Sequence, residues 1–208
     1  PEDTEVTNTV SATGTAEDGT VLSAQATATV WVYASSGTTS SAAYTTYKQD
    51  QWGGVSSPGT AGELLDKRFA TVYPTGLTVG GSQVIVLTSA DAVDAFLPQG
   101  GGPNVLPSTY TNPTKTGAGE LAGQVVALKL NVDFSAAGLT KSGLASLKLT
   151  KDLAGWTVAQ VLAMAQVVLG GDKTALPKGV DLKKLKDICK RINENYEQGT
   201  HDRGYLKP

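Results

Sequence analysis

Thr7-Asn8-Thr9-Val10-Ser11-Ala12-Thr13 and, after a short gap, Ala24-Gln25-Ala26-Thr27-Ala28-Thr29-Val30-Trp31-Val32 repeat the same simple rule. In the first run Val6, Asn8, Val10 and Ala12 alternate with Thr7, Thr9, Ser11 and Thr13. In the second, Ala24, Ala26, Ala28, Val30 and Val32 alternate with Gln25, Thr27, Thr29, Trp31 and Tyr33. Period-two alternation in Thr- and Val-rich segments is the signature of strands with one face drier than the other. Glu17-Asp18-Gly19 lies between them, and an Asp-Gly step suits the positive φ angles of a tight turn. The segment therefore reads as a long β-hairpin over residues 1–34.

A two-stranded hairpin alone is marginally stable in water and leaves both outer edges unpaired. The apolar positions Val6, Val10, Ala26, Ala28, Val30 and Val32 are thus candidates for contact with further strands. Two readings stay open: the hairpin folds back on its own chain, or it completes a sheet in another molecule.

Outward from the hairpin, Ser35-Ser36-Gly37-Thr38-Thr39-Ser40-Ser41 reads as the body of a linker over residues 35–43. Residues 44–208 read as a mainly helical domain with a few short strands, which makes the fold class α+β. A short helix opens at Gly59-Thr60-Ala61 and stops before Pro74. A strand follows at Gln83–Leu87. Thr88 or Ser89 caps a helix over Ala90–Phe96, and Gln99 to Pro113 reads as loop. Leu121, Val125, Leu128, Val132 and Phe134 mark a helix over 118–136 that is buried on most sides. Thr157 caps the next helix, which Gly170-Gly171 ends. Asp181 caps a strongly amphipathic helix with Leu182, Leu185, Ile188, Cys189, Ile192 and Tyr196 inward and Lys183, Lys184, Lys186, Lys190 and Arg191 outward.

The chemistry available is sparse. The single histidine, His201, lies in Gly199-Thr200-His201-Asp202-Arg203, which reads as a mobile tail. A histidine base must be held by a partner and touch a nucleophile, so no catalytic residue is assigned. Asp91 and Asp94, and Glu120 and Asp133, are the acid pairs on helices, and their spacing suits solvated faces better than a hydrolytic pair. No calcium-loop pattern appears, and the lone Cys189 excludes both an internal disulfide and a Cys-rich zinc site. No metal and no cofactor is expected, and the chain reads as a protein without enzymatic activity.

Charge narrows the partners. Residues 1–150 carry seven Lys and Arg against twelve acids, and 151–208 carry ten against seven, so the two parts stand near −5 and +3. The split reads first as one well-solvated basic helix; opposite poles would also suit head-to-tail association of identical chains. The net charge of −2 and the absence of aromatics among the basic helix residues speak against nucleic acid. No run reaches the roughly 18 apolar residues that span a bilayer, so no membrane insertion is expected. Among the aromatics, Trp31, Trp52 and Tyr47 are candidates for stacking on a sugar ring, although covering an exposed core edge is the commoner role for such residues.

Two resemblances follow from particular residues. Thr7-Asn8-Thr9-Val10-Ser11-Ala12-Thr13-Gly14-Thr15 with Asp18-Gly19 and Ala26-Thr27-Ala28-Thr29-Val30 resembles the closing hairpin of Ig-like repeats in large bacterial surface proteins. Tyr44-Thr45-Thr46-Tyr47, Gln51-Trp52-Gly53-Gly54, Phe96-Leu97-Pro98-Gln99-Gly100-Gly101, Leu121 to Phe134 and Ile192-Asn193-Glu194-Asn195-Tyr196 look like a module found at the ends of bacterial secreted multidomain proteins. The resemblance implies an extracellular or cell-surface location and an architecture, and no activity. The sequence thus predicts a structural, self-assembling surface protein, forming a homo-oligomer or homopolymer by strand addition; the alternative is an adhesion module that binds cell-surface glycan.

Overall fold

The computed structural model describes residues 4–32 and 42–208; within the hairpin, side chains are described for residues 7–27. Most of the linker read at 35–43, and Tyr33, lie outside the described residues. The chain divides into two units, Pro1–Thr39 and Ser40–Pro208.

The first unit is the α+β fold's long hairpin. Strand β1 (Thr4–Thr15) pairs antiparallel with β2 (Val21–Val32), from Thr4 opposite Val32 to Thr15 opposite Val21. Ala16–Thr20 closes the turn: Gly19 donates to the Ala16 carbonyl at 3.0 Å and Ala16 to that of Thr20 at 2.8 Å. The Asp18 carboxylate accepts the Thr20 amide at 2.9 Å. Gly19 sits at φ 84°, which a side-chain-bearing residue adopts only with strain, so the turn needs its glycine.

The second unit is built around one helix. α1 (Gln49–Trp52) and α2 (Ala61–Val72) come first. Strands β3 (Leu77–Gly80) and β4 (Val84–Leu87) form an antiparallel pair, and α3 (Ala90–Phe96) leads on to β5 (Tyr110–Thr111), which joins β4 in parallel. α4 (Glu120–Ala136), α5 (Val158–Leu169) and α6 (Leu182–Asn195) supply the bulk of the core, and the small pair β6 (Lys148–Leu149) and β7 (Leu206–Lys207) closes the chain.

α4 is the axis because its composition allows burial all round. Thirteen of its residues are buried, and α5, α6 and β3 all pack on it. Gly123 marks the closest approach: a Cβ there would lie 1.9 Å from Gln49 Oε1. Gln49 and Gln99 exchange two hydrogen bonds beside it, Gln99 N to Gln49 Oε1 at 3.0 Å and Gln49 Nε2 to the Gln99 carbonyl at 3.1 Å. α6 is the opposite case. Leu185, Ile188, Cys189 and Ile192 are buried, whereas Lys183, Lys184 and Arg191 are exposed, as its periodicity requires.

The caps follow the side chains that can make them. Ser89, not Thr88, receives the first-turn amide of α3, because Thr88 is engaged with Asn112. Thr157 and Gln160 form a reciprocal capping box on α5, and Asp181 accepts from Lys184 N at 2.7 Å on α6.

Two expectations need correction. The region 99–113 is not all loop, since Tyr110–Thr111 adds a strand beside Ile85–Val86. The segment after α6 is tied down rather than a loose tail. Arg203 donates to the Asn195 carbonyl, Tyr205 N to Asn195 Oδ1 at 2.7 Å, and Leu206 pairs with Leu149. Tyr205 and Leu206 are only 5% and 3% exposed. The polar residues 199–204 concealed an apolar pair that docks the chain end.

Candidate functional site

The hairpin offers backbone and apolar side chains together. Every described side chain from Thr7 to Thr27 is exposed except Ala16, which is half-buried. Strand alternation puts Asn8, Val10, Ala12, Leu22, Ala24 and Ala26 on one face and Thr7, Thr9, Ser11, Thr13, Ser23, Gln25 and Thr27 on the other. On the hydroxyl-rich face Gln25 Nε2 donates to Ser11 Oγ at 3.0 Å across the ladder. Val10, Val21 and Leu22 are 64, 67 and 63% exposed. The sheet has two strands, so each strand keeps one outer edge without a strand partner among the described residues.

Native proteins protect such edges with lysine, proline or bulges. β1 and β2 contain no Lys, Arg or Pro, and their pairing runs without interruption over twelve residues, about 40 Å of strand. Of the residues singled out for self-association, Val10 and Ala26 are opposite one another on the drier face. Val6 and Val30 are paired in register, Ala28 lies opposite Asn8, and Val32 lies opposite Thr4; the side chains of these four valines and alanines lie outside the described set.

The three aromatics proposed as sugar contacts separate. Trp31 is opposite Glu5 in the ladder, its side chain outside the described set. Trp52 is fully buried, so it is no sugar platform. Its ring lies 5.0 Å from Phe134 and 5.1 Å from Tyr47, and its Nε1 donates to Asn131 Oδ1 at 3.2 Å. A short helix one turn long presses it into the core because its indole is the largest apolar group available there. Tyr47 is different. It is half-buried, rests edge-on against Trp52, and its backbone is clamped by Asn131, whose Oδ1 accepts from Tyr47 N and whose Nδ2 donates to its carbonyl, both at 2.8 Å.

Tyr47 borders a cavity of about 180 Å³ with Gln51, Val55, Thr60, Ala61 and Gln198. The chain end supplies Gln198 because Thr46 bridges Glu197 in parallel and Gln198 N donates to the Thr46 carbonyl at 2.9 Å. Sequence reasoning missed both glutamines. Gln51 and Gln198 are far apart in the chain, and the pairing of the Thr46 segment with residues 196–198, together with the reach of Glu197 to Lys48 and Gln51, brings them together. Burial raises the Tyr47 hydroxyl above the ordinary tyrosine range, so it stays a neutral donor across physiological pH.

The remaining reactive groups are either tied into ion pairs or scattered on the surface. Asp133 binds Lys129 and accepts the Tyr73 hydroxyl at 2.9 Å. Glu120 faces Lys186 at 3.3 Å and Lys190 at 4.0 Å. Asp91 and Asp94 are exposed on α3. His201 is exposed, with Nδ1 2.7 Å from its neighbour Thr200 Oγ1. No group of three His, Cys, Asp or Glu that could hold a metal occurs among the described residues, and no described helix is long and apolar enough to cross a membrane.

Cys189 is fully buried, and desolvation pushes its thiol up to about 12. Since the thiolate is the nucleophile, native protein at pH 8 is expected to resist alkylation by iodoacetamide while urea-unfolded protein reacts fully. A mass-spectrometric time course reads this, and rapid native labelling would contradict it. No known protein family, curated protein or solved structure matches this chain.

Proposed function

We propose that this chain is a non-catalytic, extracellular structural protein that assembles with further copies of itself by strand addition through the β1–β2 hairpin. The observation that carries the reading is the hairpin's pair of uninterrupted outer edges, without a strand partner among the described residues and without lysine, arginine or proline in either strand, beside exposed Val10, Val21 and Leu22. An added antiparallel strand contributes about one main-chain hydrogen bond per residue, each worth about 1 kcal/mol net. Because each hairpin has two edges, pairing that uses one edge of each neighbour continues without closing and yields a filament. The Thr-, Ser-, Gly- and Ala-rich composition and the resemblance of the hairpin to surface-protein repeats support an extracellular setting.

The full-length chain is expected to form fibres visible by negative-stain microscopy and to sediment as a concentration-dependent series. Val10→Lys places a charge within the drier face and is expected to raise the concentration needed for assembly about tenfold or more, equal to about 1.4 kcal/mol per contact. The thermal unfolding of the Ser40–Pro208 unit should not move. A wild-type chain that remains strictly monomeric at high concentration would sink this function.

A further inference from the structure

A second site, independent of assembly, lies in the Ser40–Pro208 unit. We propose that the cavity bordered by Tyr47, Gln51 and Gln198 binds the terminal ring of a glycan, a single neutral pyranose.

Size sets the first limit. About 180 Å³ falls below the roughly 300 Å³ at which pockets for drug-sized ligands begin, so the cavity holds one ring and not a chain. Charge sets the second. None of the residues that line it is ionised: the wall is made of Tyr47, Gln51, Gln198 and Thr60 with the apolar Val55 and Ala61. The charges flanking it are paired, with Lys48 Nζ 2.7 Å from Glu197 Oε1, Arg203 2.8 Å from Glu197 Oε2, and Glu63 accepting the Gly59 amide at 2.8 Å and facing Lys67 at 2.8 Å. A uronic or sialic acid would find no cation among the lining residues, and an amino sugar with a free ammonium no carboxylate that is not already paired.

What the wall does offer matches a sugar's two kinds of surface. The C–H face of a pyranose is apolar and stacks on an aromatic ring, and its hydroxyls need donors and acceptors at the rim. Tyr47 supplies the ring, held by its T-shaped contact with Trp52 and by two Asn131 hydrogen bonds to its backbone, so little freedom remains to lose on binding. The hydroxyl of Tyr47 and the whole carboxamide of Gln198 make no hydrogen bond among the described residues. Gln51 keeps one amide proton free beside a long contact to Glu197 at 3.4 Å.

Gln198 adds a further observation. It is one of three described non-glycine residues with positive φ, at 52°, where glycine or asparagine is the usual occupant. Its side chain is exposed and makes no hydrogen bond among the described residues, so packing does not explain a glutamine in that backbone shape. A carboxamide at the cavity rim does, and residues held in sparsely populated backbone regions concentrate at ligand sites.

The test is saturation-transfer NMR of the full chain, which tolerates assembled protein, with methyl glycosides of glucose, galactose, mannose, N-acetylglucosamine and N-acetylgalactosamine, and with methyl glucuronide. At least one neutral glycoside is expected to show saturable transfer to its ring C–H protons, with the glucuronide silent. Tyr47→Ala should abolish the signal. Gln198→Gly separates binding from folding: it removes the carboxamide while relieving the positive φ, so the signal should fall at least about tenfold while the unfolding midpoint holds or rises. The proposal is overturned if no neutral glycoside saturates, if glucuronide binds as well, or if the signal survives both substitutions. Val10→Lys should leave the signal unchanged, so loss of assembly and loss of sugar binding remain distinguishable.

Discussion

Asn131→Leu is expected to destabilise the Ser40–Pro208 unit by about 4 kcal/mol or more, close to the whole stability of an ordinary domain. Leucine has the same branching and heavy-atom count as asparagine and is the larger of the two, so the loss is not a cavity effect. Asn131 is 1% exposed and satisfies four groups at once. Its Oδ1 accepts from Tyr47 N and Trp52 Nε1, and its Nδ2 donates to the Tyr47 carbonyl and to Asn193 Oδ1 at 3.0 Å. Leucine strands all four in a water-poor interior, at about 1–3 kcal/mol each before relaxation. Asn193→Ala should cost less. Asn193 Nδ2 serves the Gln124 carbonyl and Oε1, both at 3.0 Å, and no Trp52 or Tyr47 group depends on it directly. Urea denaturation followed by tryptophan fluorescence measures both, and the double mutant should show strong coupling, because the two amides touch. A loss below about 1 kcal/mol for Asn131→Leu would mean that water reaches the network.

The same residue explains why part of this molecule was legible in the sequence and part was not. Helices α5 and α6 announce themselves because each carries its own cap and a full apolar stripe within a dozen residues. The hairpin does so because alternation and an Asp-Gly turn are local signals. The short strands do not. Tyr110–Thr111 and Leu206–Lys207 are two residues long, and their partners at Ile85–Val86 and Lys148–Leu149 lie far away in the chain. No window of sequence contains both halves of such a pair. Asn131 likewise sits among Leu128, Leu130 and Val132, where a polar residue on a buried helix looks like an exposed flank. Only the folded neighbours, Tyr47 from before α1 and Asn193 from α6, reveal that it is the polar centre of the core. The candidate sugar cavity follows the same logic. Tyr47 was visible as a candidate aromatic, but Gln51 and Gln198 acquire meaning only through the contacts that join the Thr46 and Glu197 segments.

Removing Tyr205 to Pro208 is the other change expected to have a large effect, about 4–6 kcal/mol, although it deletes only four residues at the chain end. Fully burying a Leu-sized or aromatic side chain contributes about 1.5–3 kcal/mol, and Tyr205 and Leu206 are both buried. The hydrogen bonds add to this. Tyr205 N donates to Asn195 Oδ1 at 2.7 Å, its hydroxyl donates to Asp152 Oδ2 at 2.8 Å, and its carbonyl accepts from Thr150 N at 3.0 Å. Truncation leaves Asn195 and Thr150 groups without these partners and deletes β7 from beside β6. Asp152 keeps Arg191 at 3.0 Å, so its carboxylate is not stranded, and this part of the loss is small. Tyr205→Phe isolates that contribution: it removes one partly buried hydrogen bond, about 1 kcal/mol, and leaves the ring in place beneath the Arg191 guanidinium, 5.7 Å from its centroid. Differential scanning calorimetry of the two variants against the intact chain tests the division. If truncation shifts stability no more than Tyr205→Phe does, the docked apolar pair contributes nothing and the chain end behaves as the free tail that its polar residues suggest.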